Sequence, residues 1–256
     1  MKQVIHLCDK IDTTKLSFSK FQNGGKDMLL SFPCYDNGPL IFQTPKIKMT
    51  SYGIPPLNSY LPGNDNSRSF IKFPIDPNQP ECLKLEKTLS DIDTFIINNK
   101  EIFNDIGQNI QYEKTVKNPI PTHFNADFDG DDIKIPPKMK YCKVNFDMAL
   151  TIKTTIFVKN GTETKKIIVN NIDDIANHLT FGSSVRGIIM INKLWVITNP
   201  SLPPKGGLSL KLLSLEITPR DKLTFDTKNI FNDLINENDL NVDDSGDNNI
   251  CIEICI

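Results

Sequence analysis

Several things are scarce in this chain of 256 residues, and each scarcity narrows what it can do. There are three histidines, at 6, 123 and 178, and six cysteines, at 8, 34, 82, 142, 251 and 255, with no Cys-x-x-Cys pair. That spacing indicates neither a zinc site nor a disulfide framework, and it fits free thiols in a reducing compartment. The motifs Gly-x-x-x-x-Gly-Lys-Ser/Thr, Gly-x-Ser-x-Gly and His-Glu-x-x-His are missing, and neither His123 nor His178 has an adjacent acid, thiol or second histidine. A non-enzyme without a cofactor is therefore expected. No apolar run approaches the length that spans a bilayer, and the start lacks the apolar stretch of a secretion signal. Both absences lead to the expectation of a soluble, intracellular chain with no membrane partner.

What is present is a globular composition, 39% hydrophobic and 23% charged, long enough for one sizeable core. The net charge of -2 hides an asymmetry. Residues 233–256 carry seven acids and no Lys or Arg, which leaves 29 basic against 24 acidic residues in 1–232, a body of about +5 by charge counting. The expected organisation is a single β-rich domain over 1–232 with an acidic C-terminal tail over 233–256. A basic body with an acidic tail suits a nucleic-acid binder, and equally a tail that only solubilises.

The densest apolar alternation runs from Lys138 to Pro219. It predicts strands at 139–146, 152–158, 165–169, 187–197 and 208–217, with Asn160-Gly161 as a hairpin turn. Leu208, Leu210 and Leu212 alternate on one parity and Leu213, Leu215 and Ile217 on the other, the signature of a bulge between 212 and 213. The stretch 187–197 is almost continuously apolar, interrupted by Asn192 and Lys193, and suits a central strand buried on most of both faces. A short helix fits 172–179.

Residues 15–52 predict further strands at 16–21, 28–35 and 40–44, separated by Asn23-Gly24-Gly25 and Asp36-Asn37-Gly38-Pro39. In 46–52 a period of two places Lys46, Lys48, Thr50 and Tyr52 on one face and Ile47 and Met49 on the other. In 70–75 Phe70 and Lys72 oppose Ile71, Phe73 and Ile75. From 80 to 106 the period becomes helical through Leu85, Leu89, Ile92, Phe95, Ile96, Ile102 and Phe103, with a break near Asn98-Asn99. Residues 108–137 read as a long connection without elements of its own. Many short strands around one main helix predict a mainly β fold, a small barrel or oligonucleotide-binding-fold-like body with that long loop inserted.

Within the loop, Asn125-Ala126-Asp127-Phe128-Asp129-Gly130-Asp131 resembles the metal-binding loop of the largest subunit of multisubunit RNA polymerases. Asp127, Asp129 and Asp131 could chelate a hard cation there. The likeness covers seven residues, its continuation departs from the polymerase pattern, and the chain is far too short for two large subunits. A solvated acidic loop is the favoured reading, with no metal expected.

A broader resemblance rests on Phe42-Gln43-Thr44-Pro45, Tyr52-Gly53-Ile54, Phe70-Ile71-Lys72-Phe73, Pro137-Lys138-Met139-Lys140, Thr154-Thr155-Ile156-Phe157 and Asn192-Lys193-Leu194-Trp195. Together these resemble an uncharacterised family of nucleocytoplasmic large DNA virus proteins, related to their single-stranded DNA-binding proteins. The resemblance implies non-enzymatic binding of single strands, DNA or RNA, during viral replication, repair or recombination in the host cytoplasm. Lysines would track phosphates and rings would stack bases. The expected site is Lys46, Lys48, Tyr52, Phe70, Lys72, Lys138, Lys140, Lys193 and Trp195. Tyr141 is a further candidate ring, and for Trp195 a place in the core of a central strand is at least an equal reading. The terminal run Ile250-Cys251-Ile252-Glu253-Ile254-Cys255-Ile256 is expected either to dock replication proteins as a tail tip or to form an edge strand, with self-association as a further outcome. The rival functional reading is a structural or protein-interaction β-rich viral protein, and a third is a metal-dependent nucleotidyl transferase through Asp127, Asp129 and Asp131.

Overall fold

The computed structural model describes residues 4–56, 65–106, 109–119, 138–148, 151–199 and 201–220, all within the compact unit Met1–Arg220. Asp127, Asp129, Asp131 and the tail 233–256 lie outside the described residues. Eight short strands come first: β1 (His6–Leu7), β2 (Leu16–Phe18), β3 (Gln22–Gly25), β4 (Met28–Ser31), β5 (Pro33–Tyr35), β6 (Ile41–Gln43), β7 (Ile47–Lys48) and β8 (Phe70–Ile75). Helix α1 (Pro80–Asn98) and a 3-10 segment (Lys100–Ile106) follow, then β9 (Gln111–Glu113) and β10 (Val116–Lys117). The chain continues through β11 (Lys140–Phe146), β12 (Thr155–Asn160), β13 (Glu163–Ile167), α2 (Ile172–Ala176), β14 (Ser184–Ile197) and β15 (Lys205–Thr218).

The two longest strands, β14 and β15, pair antiparallel along nearly their whole length. The free edge of β14 receives β4, β6 and β7, all antiparallel. The free edge of β15 receives β9, β11 and β12, all parallel to it. Parallel neighbours need long crossovers, and on the way from β9, β11 and β12 to β15 the chain passes through β13, α2 and β14. β8 pairs antiparallel with β11, and β1 closes the other end by pairing parallel with β6. β2 and β5 form a separate two-stranded sheet. The β-rich expectation therefore holds, but the sheet is open: no closed barrel occurs among the described residues.

Local chemistry accounts for the main boundaries. Pro80 sits in the first turn of α1 and Glu81 faces its positive end. Cys82, Leu85, Leu89, Ile92 and Ile96 recur every three or four residues and are fully buried. The helix stops at Asn98, where the break was expected, and only a 3-10 segment continues the pattern. Leu213 has no partner between the Ile188–Ser214 and Ile189–Leu212 pairs, so the expected bulge is present.

Three expectations change. The stretch 28–35 is not one strand: it divides at Phe32 into β4, in the large sheet, and β5, in the small one. β14 is buried on one face and only half-buried on the other. Val185, Ile189, Ile191, Leu194 and Val196 are buried, while Arg186, Ile188, Met190, Lys193 and Trp195 on the opposite parity are half-buried. The connection after 108 carries β9 and β10, whose backbone pairing does not show in hydrophobic periodicity.

This short segment is tied down by Asp93, a buried carboxylate of α1. It accepts the Tyr112 hydroxyl, the Thr115 hydroxyl and the Thr115 amide, each at 2.7 Å. No described helix is long and apolar enough to cross a membrane.

Candidate nucleic-acid interface

β8 and β11 show one face to the core and one to solvent. Ile71, Phe73, Ile75, Cys142, Val144 and Phe146 point inward, into the core that also takes the buried stripe of α1. The antiparallel register then fixes which outward residues meet: Tyr141 opposite Pro74, Lys143 opposite Lys72, and Asn145 opposite Phe70. Directly opposed residues of a sheet share a face and touch. The rows extend sideways, since Lys117 of β10 lies opposite Tyr141 and Lys211 of β15 opposite Asn145.

Tyr52 joins this face from a turn. Its φ of 64° and the 101° of Gly53 reverse the chain, and Gly53 exchanges two backbone hydrogen bonds with Lys72, at 3.2 and 2.9 Å. The Tyr52 hydroxyl donates to the Met139 carbonyl, and its ring lies 5.1 Å from that of Tyr141. Left-handed backbone at a bulky aromatic is uncommon and costs about 1–3 kcal/mol, so the surroundings must hold the ring where it is.

The result is a cluster of cations and rings. The Lys72 ammonium lies 4.5 Å from the Tyr141 ring centroid, 5.7 Å from Tyr52 and 6.0 Å from Phe70. The Lys143 ammonium lies 4.0 Å from the Phe70 centroid. These are cation–π distances, which hold long flexible side chains over the sheet. Among the described residues neither lysine forms an ion pair. Partial desolvation, and then the charge of Lys72, push the Lys143 ammonium below its ordinary pKa. Burial and the adjacent Tyr141 raise the Tyr52 phenol, which stays protonated at neutral pH. Like charges placed opposite each other are unfavourable in a sheet, and a bound anion removes that repulsion.

Of the nine residues expected at the site, the structure brings together Tyr52, Phe70 and Lys72. Lys140 has the inward parity of β11 and pairs with Glu86 of α1 at 2.9 Å, away from this face. Lys138 is exposed just before β11. Lys46 and Lys48 are exposed beside β7, but the turn at 51–53 parts them from Tyr52. Lys193 and Trp195 do share a face, two strands away on β14. Trp195 stands opposite Gly207 and Leu30, its ring 3.1 Å from where a Cβ on Gly207 would be, and it belongs to neither the buried core nor the Lys72 cluster.

Lys143 is the member that sequence reasoning did not reach. The signal was available in the alternation of Tyr141, Lys143 and Asn145 against Cys142, Val144 and Phe146. No cluster of metal-binding side chains occurs among the described residues.

No family model matches the chain. It is 23% identical, over 262 residues, to an uncharacterised protein of Acanthamoeba polyphaga mimivirus, an alignment that covers 90% of this chain and 64% of that protein. The chain thus spans under two thirds of the length of that relative, and the similarity is to a viral protein without an assigned role.

Proposed function

We propose that the chain binds single-stranded nucleic acid without turnover, through Tyr52, Phe70, Lys72, Tyr141 and Lys143, in the replication, repair or recombination of a viral genome. The observation that carries this reading is the Lys72–Lys143 pair. Two ammonium groups oppose each other on an open face, each over an aromatic ring, with no carboxylate paired to either among the described residues. Phosphates need the cations, and unpaired bases need exposed ring faces, each stacked base adding about 1–3 kcal/mol. Duplex bases are already stacked and offer no face to these rings. Among the described residues Tyr52 and Lys143 stay exposed on this face, which suits a ligand running along a sheet.

The test is fluorescence anisotropy of a labelled oligothymidylate across a salt series. Wild type should bind with affinity that falls steeply with salt, and Lys72→Gln with Lys143→Gln should flatten the log–log slope by about 1.4, from about 0.7 per phosphate contact on single strands. An unchanged slope, or no binding by wild type at low salt, sinks the proposal.

A second reading, a protein-interaction role, is favoured by one feature. β1 is an edge strand, and Val4, Ile5 and Leu7 beside or within it are 64%, 51% and 53% exposed. Exposed apolar residues on a sheet edge suit strand addition by a partner. Sedimentation of wild type against Ile5→Lys separates this reading, which requires assembly that the substitution abolishes.

A further inference from the structure

Lys46 has no place in the Lys72 cluster, yet it does not stand alone. It lines a notch of about 240 Å³ where four parts of the chain meet: the 3-10 turn Cys8–Lys10, the segment after β6, α1 and β14. Lys46, Lys84 and Arg186 contribute to its wall, together with Gln43, Thr44 and, as its one carboxylate among the described residues, Asp9. Lys46, Lys84 and Asp9 are exposed, and Arg186 is half-buried. Among the described residues none of the three cations makes an ion pair, either with Asp9 or with Glu216, the cross-strand neighbour of Arg186 on β15.

Three positive side chains against one negative in a concave site concentrate positive potential there. The volume limits what can enter. It equals the liquid volume of about eight waters and is smaller than the roughly 300–1,000 Å³ of pockets that enclose a drug-sized ligand. A single tetrahedral anion fits, whereas a whole nucleotide does not.

We propose that this notch binds one phosphate dianion, either free or as the terminal group of a larger molecule, with Lys46, Lys84 and Arg186 as its ligands. The β6-to-β7 connection explains why these residues converge. The Thr44 amide donates to the Gly187 carbonyl at 2.8 Å, and the Thr44 hydroxyl accepts from the Gly187 amide at 2.9 Å. Both bonds clamp the segment that carries Lys46 against β14 beside Arg186. Lys84 is brought over the same place because Thr88, one turn further along α1, donates to the Cys8 carbonyl at 2.8 Å and so seats the 3-10 turn on the helix. The site is separate from the Lys72 cluster and does not rest on the single-strand reading.

The experiment is a thermal melt of the full chain in inorganic phosphate, with chloride matching the ionic strength. Phosphate at about fivefold over its Kd should raise Tm by about 2–4 °C beyond the chloride control. Lys46→Gln with Lys84→Gln should abolish the rise; both residues are exposed, so the variant should melt near wild type in chloride.

A second arm compares 5′-phosphorylated with 5′-hydroxyl oligothymidylate. At least threefold tighter binding of the phosphorylated strand, lost in Lys46→Gln/Lys84→Gln but kept in Lys72→Gln/Lys143→Gln, assigns the notch to a strand end. Equal binding of both strands with the thermal response intact assigns it to a free phosphate. No rise beyond the chloride control, or a rise that survives the double substitution, overturns the site.

Discussion

Tyr52 meets two opposing demands. Its left-handed backbone costs about 1–3 kcal/mol, while its hydroxyl bond to Met139 and its contact with the Tyr141 ring return a similar amount. Tyr52→Gly should therefore leave stability within about 1 kcal/mol of wild type in urea melts, while weakening single-strand binding by about 1–3 kcal/mol. Equal losses in both measurements would make Tyr52 a packing residue only. Asp76 bears on acid stability. Hydrogen bonds from the Gln79 side chain, the Asn78 amide and the Thr50 hydroxyl hold its carboxyl below the usual range. A depressed folded pKa contributes stability above the unfolded value of about 3.9, and that contribution is lost as pH falls through the folded value. Asp76→Ala should thus lose about 1–3 kcal/mol at pH 7, with the deficit against wild type shrinking in urea melts below about pH 4. At this scale alternation was a good guide where strands run straight: Phe70 and Lys72 do share the outer face. It failed at Tyr52, because residues 51–53 form a turn rather than the end of a strand. At Lys140 alternation gives the observed side, since its parity points toward α1; the residue entered the expected site through a short motif instead.

Elements declared themselves to the extent that their burial is one-sided. α1 and its end near Asn98 were legible because Leu85, Leu89, Ile92 and Ile96 form a single stripe, and the bulge at Leu213 was legible because the apolar parity changes there. β9 and β10 were not, since they are three and two residues long and are held by backbone pairing and by Asp93 rather than by a hydrophobic face. The helix stripe yields a paired prediction: Leu89→Ala should destabilise by about 2–5 kcal/mol in urea melts, and Leu83→Ala, at a site 44% exposed, by under about 0.5 kcal/mol. Similar costs at both sites would mean that α1 is not docked by the face described. In β15, a Cβ on Gly207 would stand 3.1 Å from both the Glu113 carbonyl and the Trp195 ring. Gly207→Val should accordingly loosen β9, seen as faster amide exchange at 111–113 than in β12.

For the molecule as a whole, the charge division has a direct reading. If the seven acids of 233–256 compete with nucleic acid for the basic body, a chain ending at 232 should melt like the full chain and bind oligonucleotide more tightly at low salt, the gap closing as salt rises. Unchanged affinity would leave the tail a solubilising segment. The open sheet was harder to foresee than its β content, because strand order depends on which distant segments meet and not on the pattern within any of them. That order carries a consequence for how the protein is made. The β14–β15 pair, on which strands from both halves of the chain align, is among the last described segments to leave the ribosome. Until β14 has emerged, β4 and β6 have no central partner, and β9, β11 and β12 lack theirs until β15 follows, so the nascent chain carries unpaired strand edges. Synthesis of this protein should therefore depend on chaperones that shield such edges, and arrested chains ending before Ser184 should be sensitive to protease while released full-length chains are not.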